Sequence, residues 1–321
     1  MHRIGFLLSD GFQVMALAAQ SVFEYANVAT GDPFYKLDNY SVDGGEVRSS
    51  LGMIVGTRSL RERRDVHTWI VAGVNDPLSS PAPAQVLAFL RKASKRARRI
   101  AGVCTGGFVL AEAGLLAERR ATTHWAFARE MQKRFPDIRV EDDRIFIVDG
   151  PVWTSAGMTA GLDLALAMVE KDLGADVARS VAHKLVMHQR RSGGQSQHSE
   201  MLDLSPKSDR IQSALDYARK NLSRSLTVEE LAEAVHLSPR QFSRVFTLET
   251  GKSPAKAIEG LRLEAARLMI EQSRHPLDTI AKETGFRDRR HMREAFMRGF
   301  GLPPQAVRRD ARIQTASDGA R

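Results

Sequence analysis

The 321-residue chain has one cysteine, Cys104. A single thiol excludes an intramolecular disulfide framework and fits a reducing cytoplasm, where the chain is expected to work. No stretch comes near the run of about eighteen apolar residues that a membrane-spanning helix needs, so no membrane span is expected. The opening MHRIGFLLSDGFQVMALAA has an early arginine and an Ala-Leu-Ala, but Ser9, Asp10 and Gln13 break the apolar run too soon for a signal-peptide core. Neither a metal site nor a cofactor is expected. Acidic residues are the scarcer charge, 38 against 47 Lys+Arg, for a formal net charge of +9. The imbalance is local: residues 207–321 hold 22 Lys+Arg and 15 Asp+Glu, whereas residues 1–206 hold 25 and 23. A basic excess confined to one end is what a polyanion-binding module requires. A hydrophobic content of 43% over this length allows two cores.

Within the basic part, Ser225 to Gly251 reads as two short helices joined by a tight turn. Thr227 is placed to cap the first, with Glu230 reaching back to the cap, and Ser238 with Gln241 repeats the arrangement with Pro239 at the first helical position. Leu231, Ala232 and Val235 form the inward side of the first helix. In the second, Phe242, Val245 and Phe246 make an apolar stripe, and Arg240, Ser243, Arg244 and Thr247 fall on the opposite face. Such a helix suits a DNA major groove, where arginine bonds guanine bidentately; it also fits a helical hairpin with a solvated charged face. The pattern recurs from Pro276 to Gly301: Ile280, Ala281 and Phe286 match Leu231, Ala232 and Leu237, and Asp288 caps where Ser238 did. Met292, Ala295 and Phe296 repeat the buried stripe, while Arg290, Arg293 and Glu294 take the outer positions. Between the units Ser253-Pro254 opens a long helix, with Ile258, Leu261, Ala265, Leu268 and Met269 expected to form its buried stripe, and Ile211, Leu215, Ala218 and Leu222 mark one more helix before them.

With these motifs, residues 208–310 resemble the DNA-binding domain of AraC/XylS-type transcription regulators. The segments RVFTLETGKSPAKAIEGLRLEAARLMI and IAKETGF…AFMRGFGLPPQAVRR carry the likeness. The resemblance implies two helix-turn-helix units entering successive major-groove faces of double-stranded DNA, with Arg240, Gln241, Ser243, Arg244, Arg289, Arg290 and Arg293 as contacts. The family usually has arginine where this chain has Glu294, so the first unit is expected to carry more of the specificity.

Residues 1–190 alternate strand-like and helix-like segments. Arg3–Leu8, Lys36–Asp43, His67–Val74 and Arg99–Cys104 read as strands, and Ile145–Trp153 as a hairpin about Asp149-Gly150. Leu17–Ala29, Gln85–Arg99, Gly106–Leu116 and Gly161–Leu173 have helical spacing. This alternation predicts an α/β layered sheet with helices on both faces, followed by an all-α domain. The basic run RKASKRARR, Arg91 to Arg99, reads first as the solvated face of a helix lying on that sheet, and second as a supplementary DNA or dimer contact. The Gly/Ser/Gln/Pro-rich stretch at 191–207 reads as a linker, and 311–321 as a disordered tail.

In IAGVCTGGFVLAEAGLL a strand ends at Cys104 and a helix begins within Thr105-Gly106-Gly107. A side chain at such a turn projects over the carboxyl edge of the sheet, and a helix N-terminus there favours an anion or a thiolate. Gly73 and Val74, at the end of another strand, are expected to complete an anion-binding concavity with Thr105. Residues 1–190 are similar to the class I glutamine amidotransferase-like superfamily, including its intracellular-peptidase branch, and in particular to the flavodoxin-like domain fused to AraC-type modules. SVDGGEVRSSLGM, GVCTGGFVLAEAGLL, ATTHW, VWTSAGMTAGLDLALAMVEKDLG and RRSGGQSQHS carry that likeness.

In enzymes of that superfamily the elbow cysteine is a nucleophile completed by a histidine and often an acid. Here the resemblance points to Cys104 and His124, as vestigial catalytic candidates. Thr105 replaces the histidine that the peptidase branch carries next to the cysteine, and Ala16 stands where the acid is usual, leaving Glu24 in that segment. The expected reading is therefore a pocket that binds a ligand without turnover, formed by Cys104, Thr105, His124, Trp125, Gly73 and Val74. Cys104 and His124 also fit ordinary core positions, and Trp125 and Trp153 fit either core or pocket wall. The resemblance further implies an activator controlled by an amino acid, betaine or amine, with RNA polymerase and a second copy of the chain as partners. A cysteine-dependent amidohydrolase fused to a DNA-binding domain, or an α/β domain that only dimerises, are the competing classes.

Overall fold

Apolar residues on both sides of the first strand, β1 (His2–Leu7), set the architecture. Ile4 and Phe6 join one buried cluster and Leu7 another, while Gly5 lies under the Trp69 ring with room for no side chain. A strand buried on both faces belongs at the centre of a covered sheet. The computed structural model describes residues 1–62, 65–187, 191, 193, 197, 204 and 206–309, and the chain divides into two units, Met1–Gln197 and His198–Arg321. Most of the expected linker, and all of the expected tail at 311–321, lie outside the described residues. No helix among the described residues is long and apolar enough to cross a membrane.

After β1 the first unit runs through α1 (Ala18–Thr30), β2 (Tyr35–Ser41), β3 (Gly45–Arg48), β4 (Ile54–Ser59), β5 (Thr68–Val71), α2 (Ala84–Ala93), β6 (Arg99–Val103) and α3 (Gly106–Glu112). It continues with β7 (Arg120–Ala121), α4 (Trp125–Arg134), β8 (Arg139–Val140), β9 (Phe146–Asp149), β10 (Val152–Ser155), α5 (Met158–Leu173) and α6 (Ala175–Lys184). Eight strands form one sheet, ordered β3-β4-β2-β1-β5-β6-β10-β9, and β7 pairs with β8 apart from it. Neighbours from β4 across to β10 are parallel, while β3 and β9 close the edges antiparallel. Residues of α1, α5 and α6 cover one face, and residues of α2 and α3 the other. The layered α/β sheet anticipated from the alternation is the fold observed.

The basic run ends differently from its expected helix. α2 stops at Ala93, because the Arg98 and Arg99 N–H groups both turn to the His67 carbonyl (2.9 and 3.2 Å) and start β6. Lys92, Lys95 and Arg96 remain exposed, but Arg99 is buried against Asp172 of α5 at 2.5 Å, where Arg98 (3.1 Å) and the Tyr35 hydroxyl (2.9 Å) also converge. Removing one member of so buried a pair typically costs about 3–5 kcal/mol. The end of the run is thus a structural cluster.

The second unit consists of α7 (Asp209–Lys220), α8 (Val228–Ala234), α9 (Pro239–Thr250), α10 (Pro254–Gln272), α11 (Leu277–Glu283) and α12 (Arg289–Phe300). α10 joins two cores. Its Ala257, Ile258 and Leu261 pack with Leu231, Phe242 and Phe246, and its Leu263, Ala266 and Ile270 with Ile280, Met292 and Phe296. The expected stripe through Ala265, Leu268 and Met269 is therefore only partly kept: all three are half-buried and Met269 packs at the edge of the second core, because the second half of α10 serves a different core from the first. The caps also differ in one detail. Ser238 and Gln241 form the full reciprocal box, and Asp288 caps α12 through the His291 N–H at 2.7 Å. Thr227 caps α8, but Glu230 does not return to it; its carboxylate takes the Tyr217 hydroxyl at 2.9 Å and Arg224 at 3.4 Å. Gly285, with φ +77°, makes the turn before α12 and sits so close to the Leu222 carbonyl that no Cβ would fit.

Candidate functional site

The C-terminal ends of β5, β6 and β10 meet at Cys104. Its backbone is left-handed, φ +56°, a conformation that costs a non-glycine residue about 1–3 kcal/mol and persists only where surroundings enforce it. Here they do: the Cys104 N–H donates to the Ser155 carbonyl (3.1 Å), and the Cys104 carbonyl accepts from the Thr123 hydroxyl (3.1 Å) and the Gly107 N–H (3.3 Å). The side chain is buried, at 2% exposure. Burial pushes the thiol up to about 11, outweighing the opposite effect of hydrogen bonds from the Thr105 backbone and hydroxyl. Cys104 is thus a neutral thiol near pH 7 despite its position before α3.

The other expected pocket residues fall into two groups. The Thr105 hydroxyl donates to the Val74 carbonyl at 2.5 Å, and a Cβ on Gly73 would meet that hydroxyl and come within 2.7 Å of the Gly106 nitrogen. The concavity expected between Gly73, Val74 and Thr105 is closed by their own packing, and Val74 turns an acceptor inward where an anion would need a donor. His124 and Trp125 lie on the second group. His124 caps α4, its Nδ1 accepting from the Ala126 N–H at 3.3 Å, and its ring stacks at a tilt on Trp125, centroids 5.6 Å apart. Thr123, bonded to Cys104, connects this group to the turn. Trp125 is 53% exposed, whereas Trp153 is core, flanked by Arg99 and Lys171. Glu24 is exposed on α1.

Two polar atoms that sequence reasoning missed are buried without a hydrogen-bond partner: Gln13 Oε1 and Ser155 Oγ. Both belong to segments at the turn, since the Gln13 N–H donates to the Gly73 carbonyl and Ser155 receives the Cys104 N–H. Buried polar atoms ordinarily find partners, and these two do not, as is also true of Arg3 Nη1 and Arg99 Nη1 elsewhere in the chain. A separate, open concavity of about 550 Å³ lies over β2 to β4, lined by Asp38, Glu46, Thr57 and Arg58 among others, and includes none of the expected residues. Among the described residues no group of three His, Cys, Asp or Glu side chains is arranged to hold a metal ion.

In the second unit, α9 buries Phe242 and Phe246 and exposes Arg240, Gln241 and Arg244, with Ser243 half-buried. α12 buries Met292, Ala295 and Phe296 and exposes Arg289, Arg290 and Arg293. The two helices differ in how that charge is arranged: Glu294 holds Arg290 of α12 in an i,i+4 ion pair at 3.0 Å, and α9 has no acid among these outer positions.

A flavodoxin-like sheet with a strained cysteine turn, joined to a twice-repeated helix-turn-helix, defines the class. Residues 3–171 match the DJ-1/PfpI family and residues 231–310 match a helix-turn-helix domain. The chain belongs to the DJ-1/PfpI family and carries an AraC-type helix-turn-helix domain at its C-terminal end. It is similar to the HTH-type transcriptional regulator GlxA of Rhizobium meliloti (strain 1021), 32% identical over 322 residues, covering 96% of each chain. It is also similar to the isonitrile hydratase of Pseudomonas putida, 42% identical over 101 residues, or 32% of this chain and 43% of that one. Among solved structures, an AraC family transcriptional regulator from Pseudomonas putida superposes with a TM-score of 0.52 at 22% identity, covering 58% of this chain and all of that one.

The buried thiol gives a direct expectation. With one cysteine in the chain, iodoacetamide should label native protein far more slowly than unfolded protein at pH 7–9, within about the ordinary titration range of a thiol. Fast labelling of the folded chain at pH 7 would contradict this account of Cys104.

Proposed function

We propose that the protein is a sequence-specific DNA-binding transcription regulator, an activator acting in the cytoplasm, whose first unit binds a small nitrogen-containing metabolite. The observation that carries the DNA reading is α9: Arg240, Gln241 and Arg244 are exposed on a helix held rigidly from behind by Phe242 and Phe246. The planar guanidinium of arginine presents two N–H donors in one fork, which matches the O6 and N7 acceptors of a guanine edge. α12 supplies the second contact surface, where Glu294 engages Arg290 and sets a carboxylate on the face that would meet DNA, so α9 contributes more of the sequence discrimination. RNA polymerase and a second copy of the chain are the proposed protein partners.

The sensor reading is supported by Gln13 Oε1 and Ser155 Oγ beside the Cys104 turn. An unpaired amide oxygen accepts N–H groups, which amino acids and amines supply and a betaine's quaternary nitrogen does not. Amino acids and primary amines are therefore preferred among the candidate effectors. The likeness to isonitrile hydratase keeps an enzyme as the second reading, but a thiol pushed up to about 11 gives that reading no ready nucleophile.

Two measurements check these roles. Arg240→Ala and Arg244→Ala should each weaken binding to duplexes selected by the wild-type chain by about 1–3 kcal/mol and relax preference at one base pair, with folding intact. Wild-type affinity in both variants would remove α9 from the interface. For the sensor, a saturating amino acid or amine should raise the melting temperature of the full chain by roughly 2–4 °C. A broad panel without a single shift would favour a module that only dimerises.

A further inference from the structure

Gln197 is the last residue of the first unit, and its side chain is held by more groups than a linker residue needs. Its Nε2 lies within donating distance of the carbonyls of Asp142 (2.8 Å), Thr123 (2.9 Å) and Arg144 (3.1 Å) and of the Thr122 hydroxyl (3.2 Å). Its Oε1 accepts the Trp125 N–H at 2.9 Å, and its own backbone N–H donates to the Asp143 carboxylate at 3.1 Å. Upstream, the Arg191 side chain and N–H both bind the fully buried carboxylate of Asp163 (2.9 and 3.0 Å), and Gly193 packs on Phe146 too closely for a Cβ.

The donor set is selective. A wall of oxygen acceptors demands N–H donors, and the Trp125 N–H beside it demands an acceptor. A primary carboxamide offers both on one planar group. A carboxylate would turn lone pairs toward the three carbonyls, and an ammonium would leave the Trp125 N–H without its partner. We propose that Thr122–Trp125, with the carbonyls of Asp142 and Arg144, is a primary-carboxamide site whose resident ligand is Gln197, and that this contact ties the Cys104 turn to the segment leading into the second unit. The tie runs through Thr123, whose carbonyl takes Gln197 and whose hydroxyl donates to the Cys104 carbonyl. Its regulatory meaning rests on the sensor reading above: a ligand that moves Thr123 or Trp125 releases Gln197, and with it the anchored start of the connecting segment.

Amide hydrogen exchange on the full chain tests the site with propionamide as probe. In Gln197→Ala the Trp125 amide should exchange about tenfold faster, while β1 amides keep their protection and report an intact fold. Propionamide should restore Trp125 protection in that variant, saturably, and leave the wild-type chain unchanged because Gln197 already fills the site. Gln197→Glu, which keeps the shape and removes the donors, should resemble Gln197→Ala. Wild-type protection of Trp125 in either variant, or propionamide acting equally on the wild-type and Gln197→Ala chains, overturns the proposal. None of these readouts involves DNA or an effector, so their failure would leave the regulator reading in place, and failure of that reading would not alter them.

Discussion

The peptide group of Cys104 is the node on which the first unit's candidate site depends. A strand can pass into a helix this abruptly only if one residue accepts a left-handed backbone, and the neighbours must then hold it there. Ser155 from β10 takes its N–H, and Thr123 from the turn before α4 binds its carbonyl. Three segments distant in sequence are thereby locked at one sheet edge. The same packing that fixes the turn buries the thiol and pushes its pKa up to about 11, so the residue at the sheet edge holds its proton near neutral pH.

The second unit solves a different problem. Two short helix-turn-helix units, each with too few apolar residues for an independent core, share α10, which lends Ala257, Ile258 and Leu261 to one and Leu263, Ala266 and Ile270 to the other. The Arg262 guanidinium bonds the carbonyls of Leu222 (3.3 Å) and Arg224 (2.7 Å), and Gly285 packs on that same Leu222 carbonyl. With both halves braced in this way, α9 and α12 keep fixed positions within the unit, each with its arginines exposed. The Arg290–Glu294 pair makes the two helices unequal.

Much of this was legible in the chain because it is written locally. Helices with an apolar period, the Ser238–Gln241 box, the Asp149-Gly150 hairpin and the β6–α3 elbow are all decided by residues a few positions apart. What escaped is long-range. Gln85–Arg99 looked like one helix because nothing nearby announces Asp172, 73 positions from Arg99, as the partner that draws the run's last arginines away. Glu230 looked committed to Thr227 until Tyr217 and Arg224 were brought beside it. Gln13, Ser155 and Gln197 carry no sequence signal of a site, since an amide or hydroxyl in a polar loop is unremarkable until the fold sets its surroundings. Gly73, Val74 and Thr105 were correctly brought to one edge, but sequence could not foresee that they would fill the space between themselves.

Two unequal helix-turn-helix units that read DNA together leave a two-part signature in the duplexes they bind. The most direct measurement is selection of bound duplexes from a random-sequence pool by the full chain, followed by affinity for the enriched and unenriched duplexes at fixed salt. The expected result is a bipartite motif with its two parts about one helical turn apart, the α9 half the better defined, and a preference of at least about 10³ over random duplex. Recovery of no motif, with equal salt-sensitive affinity for every duplex, would contradict it.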